Sequence, residues 1–137
     1  MEEKETDSLA ARLVFTVRDY ECDLQGVVNN AVYQNYLEHA RHEFLKSRQI
    51  DFAALARDGI NLMVIRAELD YKGSLSSGDT FIVRTSLSRR SRLKFVFIQD
   101  IFREGEGSPL LCAEITGIAV NAKGRPFIPQ ELNNLLA

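Results

Sequence analysis

Apolar and polar positions alternate at two different periods along this chain. Residues 11-ARLVFTVR-18 alternate with a period of two, placing Leu13, Phe15 and Val17 on one face of a strand. From Ala31 to about Arg48 the period lengthens. Val32, Tyr36, Ala40 and Phe44 recur at i+4, flanked by Tyr33, Leu37 and Leu45. This is a broad apolar helix face, opposed by Gln34, Glu38, His42 and Lys46. A second, shorter helix is predicted over 51-DFAALARDG-59, with Asp51 as N-cap and Gly59 as its stop.

The rest reads as strands. In 62–71, Met63, Ile65, Ala67, Leu69 and Tyr71 are expected to share one face and Arg66, Glu68 and Asp70 the other. Strands follow over 80–88, 93–103 and 110–121, separated by the turns 76-SSGD-79, 104-EGEGSP-109 and 122-AKGRP-126. The order β-α-β-β-β-β predicts an α+β domain. It is a five-stranded antiparallel sheet curled around one long helix. The 62–71 strand reads as a sheet edge, which an edge-to-edge dimer would cover.

Length and composition narrow the field. A chain of 137 residues is expected to form one domain, with residues 1–9 as a frayed tail. A net charge of -2 gives no reason to expect a nucleic-acid or membrane-surface partner. No apolar run reaches the roughly 18 residues of a membrane span. The polar, acidic start MEEKETDSLA resembles neither a secretory signal nor a transit peptide. The expected location is cytoplasmic, or the plastid stroma if a transit peptide has been trimmed.

Few residues can carry chemistry. Cys22 and Cys112 form no CxxC pair, and acidic Asp23 beside Cys22 disfavours a thiolate there. His39, His42 and Glu43 could meet on one helix face. With no second ligand cluster they read as a solvated face with Glu38–His42 and His39–Glu43 pairs, so no metal and no cofactor are expected. The basic run Arg89, Arg90, Arg92 and Lys94 is either a charged turn or an anchor for phosphates.

Asp23 is the remaining candidate. It stands seven residues ahead of the long helix, whose first turn carries free N–H groups and the positive dipole end. Those groups can polarise a carbonyl oxygen while a carboxylate attacks the carbonyl carbon or directs a water at it. Gly26 permits the tight turn between them, and Val27 and Val28 could wall the site with apolar surface. The plainer alternative is that Asp23 only forms the turn.

The run 23-DLQGVVNNAVYQNYLEHARHEFL-45 resembles the signature of hotdog-fold thioesterases of the 4-hydroxybenzoyl-CoA thioesterase type. Asp23, Gly26, Val27, Val28, Tyr33, Tyr36, Glu38, Ala40, Arg41 and Glu43 fit that pattern. The resemblance extends through 75-LSSGD-79 and 124-GRPFIP-129. It implies a hydrolase of acyl thioesters of coenzyme A or acyl carrier protein, with no cofactor, acting as a homodimer or a dimer of dimers. Asp23 would be nucleophile or general base, and the Asn30 backbone N–H the oxyanion donor. Val28, Tyr33 and the partner strand's Met63 would line the acyl pocket. Arg89, Arg90, Arg92 and Lys94, with Lys72 as a further candidate, would anchor phosphates.

Many bacterial members carry an aromatic and then a histidine or second aromatic where this chain has Asn29-Asn30. NNAVY is similar instead to plant-type fatty acyl thioesterases associated with methylketone formation, which favours fatty acyl or β-ketoacyl groups. A hydratase of the same fold would need a histidine near the helix start, and residues 20–35 contain none. A non-catalytic acyl-thioester binding protein is the alternative.

Overall fold

A computed structural model describes residues 10–136; the tail expected over 1–9 lies outside them. The elements are β1 (Ala11–Thr16), a 3-10 turn (Asp19–Glu21), α1 (Asn30–Ser47), α2 (Phe52–Arg57), β2 (Asn61–Tyr71), β3 (Thr80–Arg89), β4 (Phe95–Arg103), β5 (Leu111–Val120), β6 (Pro126–Phe127) and α3 (Gln130–Leu136).

All strand pairs are antiparallel, in the order β1-β3-β4-β5-β2, with β6 pairing the end of β5. Alternate residues of the inner strands are buried: Phe81, Val83 and Thr85 on β3, Phe95, Phe97, Gln99 and Ile101 on β4, and Leu111, Ala113 and Ile115 on β5. Against them α1 buries Tyr33, Tyr36, Leu37, Ala40, Phe44 and Leu45. The contacts are aromatic, with Tyr36 at 4.7 Å from Phe81 and Phe44 at 6.2 Å from Phe97 between ring centroids. This is the hotdog arrangement, with α1 as the filling.

Both predicted helices begin and end where their caps dictate. The Asn29 side chain accepts the Ala31 N–H at 2.9 Å, and Asp51 accepts that of Ala53 at 2.8 Å. Each ends in a Schellman motif. Ile50 N–H donates to Leu45 O at 2.9 Å and Gln49 N–H to Lys46 O at 3.0 Å. Ile60 and Gly59 repeat this on Leu55 and Ala56. Gly59 supplies the left-handed residue in the second motif, whereas Gln49, at φ 68°, supplies it in the first.

Three features depart from the sequence reading. Strand β2 is an edge, as expected, but its register against β5 shifts between Val64 and Arg66. This bulge splits the face expected to run from Met63 to Tyr71. Ala67 and Leu69 lie opposite buried Ile115 and Ala113, whereas Met63 lies opposite Ile118 on the other side of the bulge. Met63, Val64 and Ile65 are all exposed. The short α3, with Leu132 fully buried, and the short β6 were not anticipated.

Candidate active site

The chain from Glu21 to Asn29 forms a tight hairpin at the mouth of α1. Asp23 N–H donates to Val27 O at 2.9 Å, Gly26 N–H to Asp23 O at 3.0 Å, and Asn29 N–H to Glu21 O at 3.2 Å. Gly26 takes φ 81°, which closes this three-residue turn. Asp23 is half-buried at the turn's first position. Its Oδ1 accepts the N–H groups of Gln25 at 2.9 Å and Val27 at 3.4 Å. Asp23 is therefore a turn former through one oxygen. Both bonds fall on Oδ1, which leaves Oδ2 the oxygen available to an incoming group.

The returning arm of the hairpin leads directly into α1. Asn29 is the N-cap, so Asn30 is the first helical residue and has no intrahelical acceptor for its N–H. No hydrogen bond among the described residues uses that N–H. A half-buried carboxylate on this hairpin and a free, dipole-reinforced N–H on the helix it leads into thus lie seven residues apart in sequence.

The hairpin is fastened to the body of the protein from both sides. On the returning arm, Val28 N–H donates to Leu75 O at 2.8 Å, and Leu75 N–H donates to the Tyr33 hydroxyl at 2.9 Å. On the incoming arm, the Tyr36 hydroxyl donates to Glu21 Oε1 at 2.8 Å. Burial raises both tyrosines above their ordinary value, and for Tyr36 the Glu21 carboxylate adds to the shift. Both hydroxyls stay protonated.

The remaining candidates fall in different places. Val28, on the hairpin's returning arm, and Tyr33 are 3% and 2% exposed, so both are buried rather than on a free surface. The Tyr33 hydroxyl is engaged by the Leu75 N–H. Met63 lies near the opposite end of β2 from Tyr71, whose hydroxyl donates to Asn30 O at 3.4 Å.

The basic run lies in the β3–β4 hairpin. The Asp23 hairpin instead adjoins the start of β3, through Val27 opposite Ser76 and Val17 N–H on Asp79 O. Strand β3, about 30 Å long, runs from its start beside the Asp23 hairpin to Arg89, and Arg90, Arg92 and Lys94 lie beyond that far end. Arg89 also bonds Asn133 and Arg92 O, and Arg90 pairs with Glu114. Lys72 is closer to the site, at the Tyr71 end of β2.

The helix histidines are accounted for by neighbours. His42 stacks on Phe52 and sits 3.9 Å from Glu38, and His39 meets the Phe15 ring edge-on. Glu43 pairs with Lys46 at 3.1 Å rather than with His39.

Between α1 and β2 runs a trough. Two adjoining cavities of about 310 and 220 Å³ share Glu38, Arg41, Val64 and Ile115, and extend from Gln34 to Phe52. Its floor is apolar, with Phe95 and Phe97. Sequence reasoning did not single out Gln99, which holds the Arg41 side chain that lines the trough. Gln99, fully buried, donates through Nε2 to Leu37 O and Thr85 Oγ1, both at 3.0 Å. Its Oε1 accepts from Arg41 at 3.1 Å. Burial lowers the Arg41 guanidinium from its ordinary value, and Glu38 partly offsets this.

Comparison with known proteins agrees with this architecture. The sequence profile of the Thioesterase-like superfamily matches residues 17–136. The chloroplastic acyl-acyl carrier protein thioesterase ATL3 of Arabidopsis thaliana is 40% identical over 119 residues, covering 86% of this chain and 63% of that protein. The chain thus spans under two-thirds of that curated relative. A hypothetical protein from Aquifex aeolicus superposes with a TM-score of 0.84 at 30% identity, over 93% of this chain and 99% of that one. A 1,4-dihydroxy-2-naphthoyl-CoA thioesterase from Synechocystis shares the fold at a TM-score of 0.86 and 16% identity, over 93% and 95%. The chain belongs to the thioesterase-like superfamily.

Proposed function

We propose that this protein hydrolyses acyl thioesters, with Asp23 as the catalytic carboxylate and the Asn30 N–H as the oxyanion donor. The observation that carries this reading is the placement of Asp23 on the hairpin that leads directly into the helix start at Asn30. Asp23 is oriented through Oδ1, and the Asn30 N–H at the start of an 18-residue helix has no partner among the described residues. A thioester carbonyl held between them would meet Oδ2 at carbon and the N–H at oxygen. As nucleophile, Asp23 would displace the thiolate and leave an anhydride for water to open. As general base, it would take a proton from the attacking water. In both cases the products are a free acid and a thiol.

The substrate is a fatty acyl or β-ketoacyl thioester of acyl carrier protein or coenzyme A. ATL3 is named as an acyl-acyl carrier protein thioesterase, which supports the carrier-protein form. Its chloroplastic location makes the plastid stroma the proposed setting. The trough beside α1, with Phe95 and Phe97 on its floor, would take the acyl chain.

The working unit is a dimer formed through β2. Its exposed Met63, Val64 and Ile65 lie on a sheet edge. Antiparallel pairing of two β2 strands would lay the Met63 end of one copy against the Tyr71 end of the other. It would also bring the second copy's β3–β4 hairpin, with its arginines, to the end of the assembly that holds Asp23. The separation seen within one chain is thereby compatible with phosphate anchoring across the dimer.

Free-thiol release from a panel of acyl-carrier-protein and coenzyme A thioesters tests the reading. Turnover of at least one fatty acyl or β-ketoacyl thioester is expected. Saturable binding without turnover across the panel would favour the non-catalytic alternative.

A further inference from the structure

We propose that Tyr36 and Glu21 act as a positioning pair for the thioester hydrolysis, fixing the Asp23 hairpin against the helix that supplies the oxyanion donor. The inference rests on the reading of Asp23 as the catalytic carboxylate.

Glu21 is an unusual carboxylate for a surface loop, with a side chain only 11% exposed. Its Oε1 accepts the Tyr36 hydroxyl and the Arg18 N–H, both at 2.8 Å, while the Arg18 guanidinium stands 3.8 Å from Oε2. Both hydrogen bonds fall on Oε1, and the Arg18 guanidinium faces Oε2. Through Oε1 this carboxylate joins its own loop to helix α1.

One residue is gripped at both ends. The Glu21 side chain is held by Tyr36, in the second turn of α1, and its carbonyl accepts the N–H of Asn29, the cap residue immediately before Asn30. Asp23 lies two residues further along the same arm. The pair thus ties the arm bearing the acid to the helix start bearing the donor, at a separation of 15 residues in sequence.

Tyr36 is itself buried and packed on both sides. It is 5% exposed, and its ring packs against Phe81 at 4.7 Å and Phe15 at 5.5 Å. Tyr33, one turn earlier, secures the other arm through Leu75. Two tyrosines three residues apart, on one helix face, therefore hold the two arms of one loop. Small misplacements of reacting groups cost rate steeply, so a fixed hairpin matters more to turnover than to binding.

Steady-state kinetics of Tyr36→Phe, Glu21→Gln, Glu21→Ala and the Tyr36→Phe/Glu21→Ala double variant test the pair, beside Asp23→Asn. Tyr36→Phe keeps the ring and loses only the hydroxyl. It is expected to lower kcat on the order of 10- to 100-fold with KM within about twofold. Glu21→Gln retains an acceptor oxygen and should stay near the parent rate. Glu21→Ala should match Tyr36→Phe, and the double variant should be no slower than either. Amide hydrogen exchange over residues 23–29 should quicken in Tyr36→Phe while the sheet stays protected.

Parent-like kcat in Tyr36→Phe, or a loss in Glu21→Gln as deep as in Glu21→Ala, would overturn the proposal. Exchange that quickens across the whole sheet would also overturn it, by making the loss one of general stability. If Asp23→Asn turns over at the parent rate, the catalytic reading of Asp23 is what fails, and a positioning role for the pair falls with it.

Discussion

The Tyr33 hydroxyl accepts the backbone N–H of Leu75 at 2.9 Å, joining the first turn of α1 to a loop 42 residues away. Leu75 is fully buried and Tyr33 is 2% exposed. Water therefore cannot replace the hydroxyl readily. Tyr33→Phe leaves a buried N–H without an acceptor and is expected to cost about 1–3 kcal/mol of stability. Chemical denaturation checks this, with the midpoint falling and the slope unchanged.

A change of opposite sign is expected at the end of α1. Gln49 holds a left-handed conformation at φ 68°, where a side chain is strained and glycine is not. Gly59 performs the same task after α2. Gln49→Gly should therefore raise stability, by up to about 1 kcal/mol after the added freedom of the unfolded chain is set against it. A thermal melt of the variant beside the parent measures the sign.

The exposed edge of β2 gives a prediction about assembly. Met63 and Ile65 are 49% and 46% exposed beside the bulge. Replacing both with glutamate is expected to shift the protein toward monomer in sedimentation, because pairing would then bury the new carboxylates against the Tyr71 end of the second copy's strand. Thioester turnover should fall with the dimer fraction, since the second copy is proposed to complete the site. A double variant that remains dimeric would place the interface elsewhere.

Much of this architecture could be read in the sequence because its signals are local and periodic. The i+4 recurrence from Val32 to Phe44 marks α1, and the alternation in β1 and β3 marks their buried faces. The bulge in β2 escaped because one extra residue changes facing without changing composition. Helix α3 has only seven residues, including two asparagines. Its signal was the spacing of Leu132, Leu135 and Leu136 after Pro129, too short to stand out.

The site was legible only in part. Asp23, Gly26 and the helix start lie within one short run. The supports do not: Glu21 meets Tyr36, Leu75 meets Tyr33, and Gln99 meets Arg41 across 15, 42 and 58 residues. No spacing rule connects such partners, because tertiary packing alone brings them together. The basic run looked like one cluster, yet the fold sets it a full strand length from Asp23.

The most direct test of the central claim is kcat for thiol release by Asp23→Asn on the best thioester of the panel. Asparagine preserves the Oδ1 acceptor for Gln25 and Val27, so the hairpin should persist. It removes the charge needed to attack carbon or to take a proton. The account predicts a fall in kcat on the order of 10²-fold or more, with KM little changed. Turnover at the parent rate would contradict it and move the chemistry to another residue.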